Sequence, residues 1–541
     1  MANRFHPIIY VRGYAMTRGE IDETTADPFC GFNVGSTMFR ANADKQQQPR
    51  KFVFESPLVR LMSEYKYRDV YENGSDILDP GWDKDADGKP TGNRLFAESV
   101  IIHRYYDSAS TYLGDGQTPP IEEFARRLSQ LIARVRELVC ANPQSGVTPA
   151  TFKVYLVAHS MGGLVCRAML QNPLLDVSGM GRFVDKFFTY ATPHNGIDVL
   201  GTNVPGFLSL NDADNFNRTR MAEYLGLKGV YKGDDGRVDV IPASAIDPER
   251  VFCLVGTNRM DYETAKGLSR AFVGDGSDGL VKIANAVLCG LDSKGQRATP
   301  CAKAFVFRSH SGFFGIVNSE EGFQNLARFL FGDLRVDIWL DVEDLRLPAK
   351  LADKSDVDAL YAVEVTAAPR GKLWQLTRRK VEEDSVAGIR HQEWLEHRAA
   401  HPGQPMRLYL STVFLSVAAK VDPSNPFMTY YMSLKVKVPN YEVRHVLWLD
   451  EHFEGAAIFN KDLVLTVAPP ASTGGAWEVK YAWADATLVD ASAMLHASET
   501  VAGAQELAVP VDSTVRLDGQ EVERNPGIKA ALRFVVSGWN T

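Results

Sequence analysis

The sequence predicts two parts of different construction: an α/β unit with a mostly parallel sheet covered by helices on both faces, then an all-β, sandwich-like unit. Three observations predict this. Strand-like and helix-like segments alternate over about the first 330 residues, the rhythm of a parallel sheet. From about residue 334, short runs alternate apolar with polar residues and are separated by Pro, Gly, Asn and Asp, as in antiparallel sandwiches. Of eight Trp, only Trp82 precedes this change; Trp339, Trp374, Trp394, Trp448, Trp477, Trp483 and Trp539 follow it.

Each element has its own justification. Pro7–Val11 is a short apolar run ending at Gly13, and Ser99–Tyr106 is apolar and β-branched; both read as strands. In Pro119–Cys140 the apolar residues Ile121, Phe124, Leu128, Ile132, Val135 and Val139 fall at helical spacing, and Pro with Glu122 and Glu123 suits a helix start. Phe152–Ala158 reads as a strand, Met161–Leu170 as a helix, then Phe187–Ala191, Val251–Val255 and Ala304–Phe307 as strands and Glu320–Phe331 as a closing helix. Two long inserts, about 26–97 and 197–248, interrupt the pattern. Structureless loops of that length are uncommon, so they are expected to carry helices or form a cap. The expected division is 1–333 and 334–541. In the second part Val336, Ile338, Leu340 and Val342 alternate with polar residues, as do Met432–Val438 and Val479–Trp483, with one helical segment at Ser385–Ala400.

Composition excludes several classes. At roughly 150 residues per domain, 541 residues suggest three to four domains. With 45% hydrophobic and 23% charged residues the chain has ample apolar surface to fold, which excludes a disordered protein. A net charge of −8 with no basic block argues against nucleic acid as a partner. Six Cys are too few for a disulfide scaffold; whether Cys289 and Cys301 pair is left open. Residues 1–15 lack a charged leader followed by a long apolar stretch, and no run of about 18 uncharged apolar residues exists. The expected compartment is the cytoplasm, with export by a signal-independent route as the other reading.

The chemistry concentrates in Val154-Tyr-Leu-Val-Ala-His-Ser160-Met-Gly-Gly-Leu-Val-Cys. An apolar strand runs into Ala158-His-Ser160-Met-Gly162 and a helix follows at once. A small residue before the serine and Gly after it permit the sharp turn that lifts Oγ above a sheet edge. The rival reading of Ser160 is a helix N-cap.

Here the chain resembles the α/β-hydrolase superfamily, in particular bacterial lipases and esterases, over about residues 5–332. Four motifs carry the resemblance: His6-Pro-Ile-Ile-Tyr-Val-Arg-Gly13-Tyr14, Ala158-His-Ser160-Met-Gly162, Gly274-Asp-Gly-Ser-Asp278-Gly-Leu-Val281 and Phe307-Arg-Ser-His310-Ser-Gly312. Their order gives Ser160, Asp278, His310, the order this fold uses. The resemblance implies Ser160 as nucleophile, His310 as its base, Asp278 as the acid that holds the imidazole, and the backbone N–H groups of Tyr14 and Met161 as oxyanion donors. Losing one such donor costs roughly a hundred- to a thousandfold in rate. Asp275 is the rival to Asp278. His159 is expected to point its side chain away from the serine. His194, in Thr192-Pro-His194-Asn-Gly196, is read as loop architecture, and His103 as a core or edge residue. Many lipases have His-Gly where this chain has Arg12-Gly13.

Asp83-Lys-Asp85-Ala-Asp87-Gly88 has the acidic spacing of a calcium loop, but its twelfth position is Arg94 rather than Glu. A solvated acidic loop is the preferred reading, and no cofactor is expected. The Trp-rich part is read as sandwich core. The expected function is a serine esterase or lipase acting through an acyl-enzyme on a small-molecule or lipid ester, with contact to a lipid surface left open. Its rivals are a phospholipase, including one exported as an antibacterial effector, and a non-catalytic binding protein acting through the β unit.

Overall fold

A computed structural model describes residues 5–540 apart from 14–17, 28, 34–35, 41–49, 55, 72–75, 80, 111–118, 200–201, 204–212, 262–274, 313, 355, 444–450, 470–476, 485–488, 491–495, 499–500, 502 and 518–519. The chain divides into two compact units, Met1–Lys303 with Phe307–Leu330, and Ala304–Val306 with Phe331–Thr541.

The first unit is built on the strands of a seven-stranded sheet up to Lys303. The strands of this sheet are β1 (Ile8–Val11), β2 (Arg68–Asp69), β3 (Ser99–His103), β4 (Val154–His159), β5 (Val184–Tyr190), β6 (Val251–Gly256) and β7 (Ala302–Val306), in the order β7-β6-β5-β4-β1-β3-β2. The pairings from β2 through to β6 are all parallel. β1 and β6 are buried along their whole length, so both read as continuous apolar runs rather than alternating ones, as strands covered on both faces must.

Among the helices, α1 (Pro57–Tyr65), α2 (Ile121–Ala141), α3 (Met161–Gln171), α4 (Arg218–Tyr224) and α5 (Glu320–Phe331) belong to this unit. α2 starts after Pro120, carries Glu122 and Glu123 in its first turn and buries Ile121, Phe124, Leu128, Ile132, Val135 and Val139; the helical spacing of apolar residues and the acidic N-terminus act together. α5 ends against Lys186 of β5, whose buried ammonium donates to the carbonyls of Phe329 (3.2 Å) and Leu330 (2.6 Å). That satisfies acceptors a helix end leaves over.

Both inserts carry helices, α1 in the first and α4 in the second. Within 26–97, β2 forms the sheet edge, and Ile77, Trp82 and Leu95 lie in the main core. Trp82 is anchored by its indole N–H donating to the Val70 carbonyl at 2.8 Å. Within 197–248, α4 buries Met221 and Tyr224 in the same core, and Val240–Pro242 pairs with Cys289–Leu291. These residues are apolar and deep, so the inserts enlarge the core. The strand expected over Ser99–Tyr106 stops at His103, and Tyr105 and Tyr106 then turn into the core. Cys289 and Cys301 are not joined in a disulfide.

The second unit is antiparallel. Its strands are β8 (Leu334–Arg346), β9 (Val357–Pro369), β10 (Thr377–Arg379), β11 (Ala387–Arg390), β12 (Met406–Leu415), β13 (Met428–Val443), β14 (Glu451–Ala468), β15 (Glu478–Trp483), β16 (Val489–Asp490), β17 (His496–Ala497), β18 (Gln505–Asp512) and β19 (Gly527–Gly538). One sheet has the order β12-β8-β19-β18-β17, the other β10-β9-β13-β14-β15-β16 with β11 on β9. Alternate residues such as Val336, Ile338, Leu340, Leu434 and Val436 fill the space between them. The helix expected at Ser385–Ala400 is shorter: α6 spans His391–Ala400, and β11 precedes it. The reason is local, since Ala387 and Ile389 are buried while Gly388 and Arg390 are exposed, a period of two that only a strand satisfies. Trp394 and Trp539 are buried, and Trp374, Trp477 and Trp483 pack partly buried against the sandwich core. Trp448 lies outside the described residues.

Candidate active site

The site begins where β4 ends. Ser160 has φ +53° and ψ −128°, between the last strand residue His159 and the first helical residue Met161. That backbone conformation is costly for a residue with a Cβ, and small neighbours make room for it. A Cβ on Gly162 would lie 2.2 Å from the Val11 carbonyl oxygen and 2.4 Å from that of Arg12. A Cβ on Gly13 would lie 2.6 Å from the Ser160 Cβ. The Ser160 N–H donates to the Tyr190 carbonyl at 2.9 Å, which ties the turn to β5. Ser160 occupies the N-cap position of α3, yet its side chain makes no capping bond.

Its hydroxyl instead lies 2.8 Å from Nε2 of His310, and His310 Nδ1 lies 2.9 Å from Oδ2 of Asp278. All three side chains are buried. A carboxylate only accepts, so His310 Nδ1–H donates to Asp278 and Nε2 is left to accept from the Ser160 hydroxyl. The other carboxylate oxygen, Oδ1, accepts the N–H groups of Leu280 (3.0 Å) and Val281 (2.8 Å). The Asp278 carbonyl accepts the His310 N–H at 3.0 Å. Asp278 is therefore fixed through both ends and fixes the histidine loop in turn. Asp275, its rival in the sequence, is exposed and paired with Arg259.

Met161 opens α3, where backbone N–H groups have no intrahelical acceptor. Tyr14 lies outside the described residues, as does Gly274.

His159 does not simply point away. Its Nε2–H donates to the His310 carbonyl at 2.9 Å, and the two rings are 5.0 Å apart. Burial holds its pKa well below the usual imidazole value, and the neighbouring His310 and Arg12 charges add to this, so it stays neutral. The sequence signal was its place beside Ser160; which way the ring turns at a strand end depends on the histidine loop 151 residues later. Tyr105 was also missed: its hydroxyl donates to the Arg12 carbonyl at 2.5 Å and holds the loop before Gly13.

His194 is buried and apart from this group. Its Nε2 lies 3.2 Å from the Thr189 hydroxyl, and its carbonyl accepts from the buried Arg167 at 2.9 Å. The Arg167 guanidinium also reaches the carbonyls of Val238 and Val240, so the residues of this motif hold loops together. His103 lies inside β3 with its ring at the Phe124 carbonyl, 3.1 Å away, and burial lowers its pKa to about 4. In the acidic loop, Asp83 pairs with Arg134 at 2.7 Å and Asp85 accepts the N–H groups of Asp87 and Lys89. Among the described residues no group of three or more His, Cys, Asp or Glu could hold a metal ion, and no helix is long and apolar enough to cross a membrane.

A parallel sheet with a strand–turn–helix at Ser160 defines the class: in fold the chain is of the α/β-hydrolase type. More narrowly, residues 115–213, which hold β4, Ser160 and α3, match the family described as PGAP1-like alpha/beta domain. No curated protein sequence matches the chain. Among solved structures, phospholipase PlaB from Legionella pneumophila is similar at 13% identity and a TM-score of 0.32, covering 84% of this chain and 91% of that one. The product of gene lin2722 from Listeria innocua is similar at 11% identity and a TM-score of 0.25, over 60% of this chain and 94% of that one. The Tle1 effector bound to the VgrG spike of the type 6 secretion system gives 11% and 0.20, over 76% and 70%. Likenesses of this size carry no information on activity.

Proposed function

We propose that the chain is a serine hydrolase that cleaves carboxylic esters of lipidic or acyl substrates through an acyl-enzyme on Ser160. The observation that carries this reading is the chain of hydrogen bonds from Ser160 Oγ through His310 to Asp278, 2.8 and 2.9 Å long, ending on a serine held at positive φ. A serine hydroxyl is a weak nucleophile at neutral pH. With Nε2 of His310 as acceptor, Ser160 Oγ attacks the ester carbonyl carbon as its proton passes to His310. The carbonyl π pair moves onto oxygen, and the N–H groups of Met161 and Tyr14 stabilise that charge. His310 then returns the proton to the departing alkoxide, and water repeats the sequence on the acyl-enzyme. Asp278 keeps the imidazole in the tautomer that both halves need. Each step uses protein groups and water alone, so the reading requires no cofactor.

The test is labelling with a fluorophosphonate followed by peptide mapping. The expected result is one labelled residue, Ser160, and loss of both label and ester hydrolysis in Ser160→Ala. Label elsewhere, or full turnover in that variant, refutes the nucleophile. A chain-length series of acyl esters beside phospholipid vesicles then separates esterase, lipase and phospholipase. Contact with a lipid surface belongs to the same reading, and its candidate is the hairpin tip 370–376, where Leu373 is fully exposed beside Arg370 and Lys372. Leu373→Asp should lower sedimentation with anionic vesicles; unchanged sedimentation removes that candidate.

A further inference from the structure

A cavity of about 250 Å³ lies beside the Ser160 group, lined among others by Arg12, Cys30, Phe32, His159, Ser311 and Asn318. Arg12 is held there by its neighbours. Gly13 packs so closely on Ser160 that it has no room for a Cβ, and the Arg12 carbonyl is bonded to Tyr105. Among the described residues the cavity wall carries no acidic side chain. The guanidinium donates through Nη1 to the Cys30 carbonyl, a neutral acceptor, and among the described residues no carboxylate pairs with it. A guanidinium has five N–H donors in a planar fork, so one neutral acceptor leaves most of its capacity unused. The other titratable groups on the wall add no charge. Burial pushes the Cys30 thiol up to about 12, and His159 is neutral for the reasons given above. The side-chain oxygen of Asn318 is buried without a hydrogen-bond partner, an acceptor suited to a hydroxyl. That volume is many times what a single water needs, enough for a compact polar headgroup.

We propose that this cavity is a subsite for an anionic oxygen group of the substrate, with Arg12 as its ligand, so that the preferred esters carry a phosphate or similar anion near the scissile bond. The proposal rests on the hydrolase reading above and deepens it from esters in general to anionic ones. Arginine in place of the histidine common in this loop is then a specificity residue, through the bidentate geometry a guanidinium offers to phosphate.

The test separates this proposal from the reading beneath it. In the wild-type protein, inorganic phosphate should slow fluorophosphonate labelling of Ser160, while chloride at equal ionic strength should not. The kcat/KM for phosphatidylglycerol should exceed that for diacylglycerol in the same mixed micelles by about ten- to a hundredfold, the worth of a charge-assisted hydrogen bond. Arg12→Gln should abolish the phosphate effect and bring the ratio of the two substrates towards one, and Arg12→Lys should restore part of both. A short-chain soluble phosphoglycerol ester preferred over the vesicle lipid keeps the anion subsite and assigns it to soluble substrates. Equal losses on both substrates in Arg12→Gln, or labelling indifferent to phosphate, overturn the proposal and leave the hydrolase reading standing. An unlabelled Ser160 overturns both.

Discussion

Replacing Asp278 by Asn tests the site most sharply, because the structure dictates how the new amide must sit. Oδ1 of Asp278 accepts two backbone N–H groups, from Leu280 and Val281, and Oδ2 faces His310 Nδ1. An Asn keeps its oxygen on the two N–H groups and turns its NH2 towards His310. Nδ1 must then accept, so the ring proton moves to Nε2 and points at the Ser160 hydroxyl. In that tautomer His310 cannot take the serine proton. The competent tautomer requires the amide to flip, which sets NH2 against two buried N–H donors. Each such unsatisfied group costs about 1–3 kcal/mol, so the flip costs roughly 2–6 kcal/mol. The competent fraction is then about 3 × 10⁻² at best and below 10⁻⁴ at worst. Loss of the charge opposite the forming imidazolium lowers the rate further. We expect kcat for a soluble ester to fall about 10³- to 10⁴-fold. The hydrogen-bond count is conserved, so the melting temperature should move by only a few degrees. Asp275→Asn, at an exposed position, is the matched control and should leave kcat within a factor of about two. An Asp278→Asn enzyme within tenfold of wild type would show that the carboxylate does not set the tautomer.

Other consequences follow from single contacts. Gly162→Ala puts a methyl group against the Val11 and Arg12 carbonyls. Backbone must move by about 1 Å, enough for a rate loss of about a hundredfold and a stability loss of about 1–3 kcal/mol; unchanged activity and melting would mean the turn is looser than described. Lys186→Met removes the donor to the Phe329 and Leu330 carbonyls, and urea unfolding should show a loss of about 2–5 kcal/mol from two stranded buried acceptors; a loss under about 0.5 kcal/mol would contradict it. Burial pushes Asp239 up, but bonds from Arg237 and Arg297 outweigh it and bring its pKa down from 3.8 to about 2. A depressed carboxyl stabilises the fold above its unfolded pKa and loses that contribution as pH falls from about 4 to 2, here about 2 kcal/mol. Asp239→Asn should flatten the pH dependence of stability in that window relative to wild type, and parallel curves would refute the assignment.

What could be read from the chain alone was what neighbouring residues decide together. The apolar run into Ser160 and the glycine after it specify strand, turn and helix within seventeen residues, and β4 and α3 lie where that pattern put them. The period of two from residue 334 specifies strands, and the sheets of the second unit follow it. What could not be read is what residues far apart decide. Lys186 in an apolar strand gives no local hint of the helix end it caps 143 and 144 residues later. The two-residue strand Arg68–Asp69 has no pattern of its own and exists because Ser99–Val100 offers it an edge. His159 obeys strand alternation, yet what its ring meets is set by a loop that arrives from the other end of the unit. Arg12 makes the same point for function. Its place one residue before Gly13 was plain, but that its charge faces a cavity with no acid among its described lining residues emerges only when Cys30–Phe32, His159, Ser311, Gly312, Gly315, Val317 and Asn318 converge on it. The candidate nucleophile is thus legible from its immediate neighbours, whereas the selectivity proposed for Arg12 depends on walls that only the assembled unit brings together.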